Sequence, residues 1–235
     1  MNKLREKIRQ ATDMRPAALG FAAADRKRAP SLLLLGTGSK SAIARVAADV
    51  DGYLVNSSGD RPGDSVDAAR GLVVHDGDLP PAGDFDFLLL DEQTPAAALL
   101  NEDFAYLMKA DADMPDSLLR ALHSTPVDGL LVQTGGPLTV GTQVALLRLS
   151  GFAGKPLFVE LKDAPSSTDL EVLREAGVIG LVLNADLGPQ RIGSLRETIE
   201  KLPPRRKLRR DDREPVAIVG QVAQSTEDDE QFDDE

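Results

Sequence analysis

The sequence contains no cysteine, no tryptophan and only two histidines. Without cysteine the protein has no disulfide, no thiolate zinc site, no iron–sulfur cluster and no cysteine nucleophile. Aromatic residues make up only 4% of the chain, so its core must be aliphatic. An aliphatic core is typical of parallel sheets that are covered by helices.

Long apolar runs and an excess of positive charge are also missing. No run approaches the roughly 18 apolar residues that cross a bilayer, and the start, "MNKLREKIRQ", lacks the apolar core of a signal peptide. We therefore expect a cytoplasmic protein that does not enter a membrane. Lys and Arg number 27 against 38 Asp and Glu, a net charge of -11. This balance argues against non-specific nucleic-acid binding, which needs a basic surface.

Short apolar runs alternate with amphipathic stretches along most of the chain. Most of these runs lack the polar alternation of half-exposed strands, which predicts strands buried on both faces. Strands that alternate with helices through short connections favour a parallel sheet. The nine candidate strands are residues 17–23, 31–36, 52–56, 71–75, 87–91, 105–109, 129–133, 156–160 and 180–184.

The stretches between the runs carry helical signals. Apolar residues recur along one face of 40–50 and of 192–202. Thr168 and Glu171 have the spacing of a capping box, and Gly177 is placed to end that helix.

The order of elements predicts a (β/α)8-type barrel domain over residues 1–203, with an N-terminal helix at 1–14. Nine runs are one too many, so either 17–23 or 71–75 is an accessory or irregular piece. An open, doubly wound sheet is the alternative.

The chain changes character after Pro203. Residues 204–235 are dense in charge, end in "STEDDEQFDDE" and hold one apolar run at 216–222. This composition predicts a largely disordered acidic tail. The apolar run could instead add an edge strand to the body or to a protein partner.

Seven of the runs end in a polar or charged residue that follows three apolar ones. In a parallel barrel these ends gather at one rim, where the loops build the active site. We therefore predict a small-molecule site there, with Asn56, Asp91, Gln133, Thr134 and Asn184 as ligand-binding residues. The seven run ends are Asn56, His75, Asp91, Lys109, Gln133, Glu160 and Asn184.

Two of these strand ends carry paired charges. Lys109 and Asp111 lie two residues apart, as do Glu160 and Lys162, and residues two apart on a strand share a face. We predict that all four face the barrel mouth as catalytic residues, where a lysine could attack a carbonyl and form a Schiff base. The commoner use of such pairs is structural, as ion pairs that close the top of the barrel.

Metal and cofactor signals are weak. Asp91, Asp111 and Glu160 have the oxygen ligands that Mg²⁺ prefers, but their separation in sequence says nothing about proximity. His123 is placed at a helix C-terminus, where a cation is favourable, and His75 alone makes no zinc site. We therefore predict no metal and no cofactor.

Two phrases, "VDGLLVQ" and "LREAGVIGLVLNAD", resemble the helix–strand junctions of the TIM-barrel superfamily, in particular of barrels that bind flavin mononucleotide or phosphosugars. The resemblance covers roughly residues 31–202. It implies a site at the rim and often a phosphate grip of glycine-bearing loops after strands seven and eight. Here those loops read "KDAPSST" and "NADLGPQ", with few glycines, so a flavin is not expected.

Three hypotheses for function follow. The first is a barrel enzyme or binder for a small anionic metabolite, of lyase or aldolase type, with Lys109 or Lys162 as the amine and Asp111 or Glu160 handling protons. The alternative is a non-catalytic scaffold or regulatory protein whose tail, 204–235, recruits a partner. A flavin-dependent oxidoreductase is third. The sequence predicts neither a substrate nor an oligomeric state.

Overall fold

A computed structural model of the chain describes residues 2–12, 31–60, 68–74, 79–81, 83–134 and 136–203. Eight parallel strands pair in chain order, and β8 pairs with β1 to close a barrel. The predicted barrel is therefore confirmed, and the open sheet is excluded. The strands are β1 Leu33–Thr37, β2 Gly52–Val55, β3 Ala69–Val73, β4 Phe87–Leu90, β5 Ala105–Ala110, β6 Gly129–Gln133, β7 Leu157–Leu161 and β8 Val178–Asn184.

Eight of the nine predicted runs match these strands. The run at 71–75, one of the two candidates for an accessory piece, corresponds to the barrel strand β3. The other candidate, 17–23, lies outside the described residues, as do His75 and the tail at 204–235. The helices are α1 Lys3–Thr12, α2 Lys40–Val46, α3 Asp116–His123, α4 Val140–Ala153, α5 Ser167–Glu175 and α6 Pro189–Glu200. None of these described helices is long and apolar enough to cross a bilayer.

Glycines make room for large side chains inside the barrel. A Cβ on Gly71 would come within 2.2 Å of the Phe87 ring, and one on Gly180 within 2.1 Å of the Phe158 ring. Each ring therefore lies over a neighbouring strand that has no side chain at that point. The two rings join aliphatic residues of the other strands in one buried interior cluster.

The helices cover the outer face of the sheet, as their periodicity predicts. Ile192, Leu195 and Ile199 form the buried stripe of α6. The start of α5 was predicted wrongly, because its capping box joins Ser166 and Asp169 rather than Thr168 and Glu171. The Ser166 hydroxyl accepts from Asp169 N at 3.2 Å, and the Asp169 carboxylate accepts from Ser166 N at 3.1 Å. Ser166–Asp169 and Thr168–Glu171 have the same capping-box spacing, but the N-cap of α5 is Ser166, two residues before Thr168.

The described parts of the connections between β2 and β5 differ from the helical connections elsewhere in the chain. Between β2 and β5 the described residues contain no α-helix, only the 3₁₀ turns at Ser58–Asp60 and Ala96–Leu100. The second turn is held by Tyr106 of β5, whose buried hydroxyl lies 2.5 Å from the Ala98 carbonyl oxygen and 2.6 Å from that of Asn101. Burial raises the pKa of this hydroxyl, which keeps it in its donating form.

Helix α1 closes the amino-terminal end of the barrel. Asn2 caps it by accepting from the backbone N–H groups of Leu4 and Arg5. The Leu4 side chain is fully buried in the interior cluster, with Ile8 and Ala11 packed against that cluster. The predicted N-terminal helix thus packs against the interior cluster and covers the amino-terminal end of the barrel.

An aspartate precedes three alternate strands at this same end. The backbone N–H of Asp51 donates to Leu34 O at 2.7 Å, and its carboxylate accepts from Leu34 N at 2.9 Å. Asp86 makes both bonds to Arg70, and Asp128 makes both to Tyr106, all at 2.7–2.8 Å. Each aspartate therefore ties the start of its own strand to the preceding strand.

A basic side chain neutralises each of these carboxylates. Arg196 of α6 forms two hydrogen bonds with the Asp51 carboxylate, at 2.6 and 3.2 Å. Arg5 Nε lies 3.0 Å from Asp128 Oδ1, and Arg70 Nε lies 3.5 Å from Asp86 Oδ2. Charge at the amino-terminal end is thus used for structure, as expected of that end of a (β/α)8 barrel.

Candidate functional site

The opposite end of the barrel opens into a cavity of about 400 Å³. Its floor is apolar, because the last inward-facing aliphatic residues of five strands form it. Its wall is polar, because the strand ends supply it. The floor residues are Leu54, Val73, Leu89, Leu131 and Val182, and the wall residues are Thr37, Asn56, Lys109, Ala110, Asp111, Gln133 and Glu160.

Five of the nine predicted site residues line this mouth: Asn56, Lys109, Asp111, Gln133 and Glu160. Strand alternation explains their direction. Lys109, Gln133 and Glu160 each lie two residues beyond an interior residue, Leu107, Leu131 and Phe158 respectively. The side chains that end these strands therefore point inward above the core.

Glu160 is held in place by a neighbouring strand. The register of β6 and β7 sets Gln133 beside Glu160, and Gln133 Nε2 donates to Glu160 Oε2 at 2.7 Å. Among the described residues, Glu160 Oε1 has no hydrogen-bond partner. One carboxylate oxygen is thus fixed, and the other is left to interact with a ligand.

Asp91 follows β4, the strand next to the one that carries Lys109, but the two side chains form no ion pair within 4 Å. The pKa of Asp91 is lowered: burial acts in the opposite direction but is outweighed by the Thr94 hydroxyl, the Gln93 N–H and the positive charge of Lys109. The distances are 3.0 Å from Thr94 Oγ1 and 3.1 Å from Gln93 N to Asp91 Oδ1. The Asp91 carboxylate is therefore turned into the β4–β5 loop, and Asp91 is not among the residues that line the mouth.

Asn184 also has a local role. It ends β8, and its Oδ1 accepts from Asp186 N at 2.9 Å, which caps the 3₁₀ turn Ala185–Leu187. It lies at the rim beside Thr37 in the register of β1 and β8, but it does not line the mouth.

Lys162 and Thr134 line a second cavity of about 330 Å³, between the loops that follow β6 and β7. Strand β7 ends at Leu161, and the chain bends at Lys162 and Asp163. Strand alternation stops at that bend, so Lys162 does not share the mouth with Glu160. Leu138 and Pro165 form apolar walls of this cavity.

The described residues do not form the ion-pair plug that the paired charges suggested. Within them, no Lys–carboxylate contact within 4 Å involves Lys109, Asp111, Glu160 or Lys162, and no group of three or more His, Asp and Glu side chains could hold a metal ion. The Lys109 ammonium group and the Asp111 carboxylate at the mouth are therefore available to a ligand or to water.

Sequence reasoning missed Thr37. The apolar run of β1 appeared to end at Gly36, so the polar residue after it was not counted as a strand end. His123 ends α3, as predicted, and its Nδ1 lies 3.3 Å from the Ala153 carbonyl oxygen; it does not line the mouth.

No protein-family model matches the sequence, and no curated protein matches it. Solved structures do resemble the fold. Thiamine phosphate pyrophosphorylase from Pyrococcus furiosus superposes with a TM-score of 0.53 at 10% identity, over 74% of this chain and 98% of that one. A mutant tryptophan synthase alpha-subunit from the same organism gives a TM-score of 0.51 at 12% identity, over 73% and 96%. At these identities the likeness establishes a TIM-barrel fold and nothing finer.

Proposed function

We propose that the mouth binds a small anionic metabolite that carries a carbonyl group, and that Lys109 is the amine that reacts with it. The observation that carries the proposal is the setting of Lys109. It lines a cavity with an apolar floor, and no described carboxylate lies within 4 Å of its ammonium group. A lysine in such a place can hold an anion or attack a carbonyl.

The polar wall supports a ligand rich in oxygen. Asn56, Thr37 and Gln133 supply amide and hydroxyl groups that can donate to carboxylate, hydroxyl or phosphate oxygens. The volume of about 400 Å³ suits a small metabolite and is near the lower end of the range for ligand pockets.

The reaction class we propose is carbon–carbon bond cleavage or formation of the aldolase type. The neutral Lys109 amine attacks the carbonyl carbon, and the carbonyl oxygen leaves as water when the imine forms. The protonated imine then takes up the electron pair of the breaking carbon–carbon bond as an enamine. Glu160 or Asp111 accepts the proton that leaves the substrate hydroxyl and returns one to the enamine carbon.

Reductive trapping tests this chemistry. The protein is incubated with sodium cyanoborohydride and, one at a time, pyruvate, glyoxylate and dihydroxyacetone phosphate, and adducts are located by peptide mass mapping. We expect at least one of these compounds to be trapped on Lys109. Lys162→Arg, which alters a lysine of the neighbouring cavity, should leave the yield of that adduct unchanged.

Lys109→Arg separates binding from chemistry. It keeps a positive charge at the mouth but cannot form the imine, so the adduct should disappear while native mass spectrometry still detects the non-covalent complex. Adducts spread over surface lysines, with none at Lys109, would exclude the amine role. A mouth that binds none of the probes would favour the scaffold hypothesis.

A further inference from the structure

Two neighbouring strands are followed by loops of the same form. Strand β4 continues into "DEQTP" and strand β5 into "DADMP", each with an aspartate in the first position and a proline in the fifth. In both loops the backbone N–H of the fourth residue donates to the carbonyl oxygen of the aspartate. The distances are 3.2 Å from Thr94 to Asp91 and 3.1 Å from Met114 to Asp111. The two aspartates therefore begin matched turns at the same end of the barrel.

The side chains of the two aspartates are used differently. Asp91 Oδ1 accepts from Gln93 N and Thr94 Oγ1, within its own turn. The Asp111 carboxylate accepts no hydrogen bond from any described residue. The position of Thr94 is taken in the second turn by Met114, which has no hydroxyl group and is buried. The carboxylate of Asp111 is therefore free at the mouth, whereas that of Asp91 is bound to its loop.

Arg148 of α4 stabilises the loop after β5 from outside. Its Nη1 donates to the Ala112 carbonyl oxygen at 3.1 Å, and its Nη2 donates to that of Met114. Its Nε donates to Asp116 Oδ1 at 2.7 Å. A guanidinium group presents its N–H donors in a fixed plane, so this one side chain can hold three acceptors along one loop. Within the described residues, the loop after β4 receives no hydrogen bond from a basic side chain.

These contacts fix the backbone of the turn and leave the side chain of Asp111 alone. Arg148 is 30% exposed, so its charge-assisted hydrogen bonds are only partly screened by solvent. Met114 is 5% exposed and anchors the far end of the turn in the core. A carboxylate that acts on a ligand needs a fixed backbone and a free side chain, and Asp111 has both.

We infer that Arg148 is a positioning residue of the mouth, and that Asp111, the residue it positions, exchanges a proton with the substrate carbon. The inference rests on the proposed function, because it concerns the imine at Lys109. The Asp111 carboxylate accepts a proton from the carbon next to the imine. The electron pair of that C–H bond forms the C=C bond of the enamine, the C=N pair moves to the nitrogen, and the reverse step returns the proton. Glu160 is less suited to this step, since Gln133 already binds one of its oxygens.

Amide hydrogen exchange of the full chain, followed by NMR, tests the positioning without any ligand. We expect Arg148→Met to raise the exchange rate of the Met114 amide about tenfold, because the turn loses hydrogen bonds from a charged group. The Thr94 amide makes the same bond in the other turn, and its rate should not change. Arg120→Met is the matched control, since Arg120 lies over the Phe152 ring. An unchanged Met114 rate in Arg148→Met would overturn the role of Arg148.

Deuterium uptake from solvent tests the role of Asp111. The protein is incubated in deuterium oxide with pyruvate and, separately, with dihydroxyacetone phosphate, and proton NMR follows the loss of the protons next to the carbonyl group. We expect Asp111→Asn to slow this uptake about a hundredfold while cyanoborohydride still traps the adduct on Lys109. Arg148→Met should slow it severalfold with the adduct yield unchanged. Arg148→Lys, which keeps the charge but not the three bonds, should slow it less, and Arg120→Met should have no effect.

Three results would contradict the inference. Uptake that stops in Glu160→Gln but continues in Asp111→Asn would overturn the assignment of the proton to Asp111. Equal loss of uptake and adduct in Arg148→Met would indicate a general loss of structure and would overturn its positioning role. A wild-type protein that traps neither compound on Lys109 would overturn the proposed function and the proton transfer with it. The exchange rate of the turn amide would still decide whether Arg148 holds the turn.

Discussion

At the amino-terminal end of the barrel, Asp51, Asp86 and Asp128 each accept from a backbone N–H, and each has an arginine within 3.5 Å. At the carboxyl-terminal end, Lys109 and Asp111 line an open cavity without an ion-pair partner among the described residues. Charged residues thus stabilise the amino-terminal end of the barrel, whereas the charged residues at the carboxyl-terminal end remain available to a ligand. Function in this fold is expected where charge is present but structurally unused.

Substitution of Asp51 should show the difference most strongly. The Asp51 carboxylate is 6% exposed, and its loss would leave Leu34 N–H and the Arg196 guanidinium without their acceptor. We expect Asp51→Ala to lower the free energy of unfolding by about 3 kcal/mol. Urea denaturation of the wild-type and variant proteins measures this change in the free energy of unfolding.

The matched change at the mouth is Asp111→Ala. It should alter stability by less than about 0.5 kcal/mol, because the Asp111 side chain is exposed and makes no hydrogen bond among the described residues. Equal losses from the two variants would contradict the division of roles between the two ends.

The Arg5–Asp128 pair should show a smaller effect. Arg5 joins α1 to the strand start through Asp128 Oδ1 at 3.0 Å and the Phe104 carbonyl oxygen at 2.6 Å. Because the Arg5 side chain is about one-third exposed, solvent screens the ion pair. We expect a double-mutant cycle of Arg5→Ala and Asp128→Ala to give a coupling energy of about 1 kcal/mol. Additive losses would show that the Arg5–Asp128 contact itself contributes nothing, so that α1 is held by its apolar packing and its other hydrogen bonds.

The smallest effect concerns Asp91 and pH. Its pKa in the folded protein lies below the ordinary value of an aspartate, so its contribution to stability is complete above that ordinary value and is lost as the pH falls through the lower pKa. Carbon-detected NMR titration should show that Thr94→Ala raises the pKa of Asp91. Lys109→Met should raise it less, because the lysine acts through space and the hydroxyl through a hydrogen bond. An unchanged pKa in Lys109→Met would place the ammonium farther from Asp91 than the structure has it.

The architecture could be predicted from the sequence because buried parallel strands leave unbroken apolar runs. The run "GLLVQ", for example, marks both the strand β6 and its inward-facing last residue, Gln133. The same periodicity placed Lys109, Gln133 and Glu160 at the mouth. It failed for Lys162, because the strand ends one residue earlier and the chain then bends.

Other features needed three-dimensional information. The role of Asp91 and Asn184 as local caps depends on loop geometry, which periodicity does not describe. The aspartates before β2, β4 and β6 do leave a signal, in "DGYLV", "DFLLL" and "DGLLV". Its meaning emerges only when the carboxylates are seen to bond to the preceding strands.

Competitive labelling of lysines tests most directly whether Lys109 is kept free to hold an anionic carbonyl compound. The native protein is treated with less than one equivalent of pyridoxal 5′-phosphate, used only as an anionic aldehyde reagent, and then with borohydride, and the label is mapped. We predict that Lys109 carries most of the label. Exposed Lys162 and Lys201 should carry little, because they lie outside the mouth. Labelling that follows exposure alone, with Lys109 no more reactive than Lys201, would contradict it.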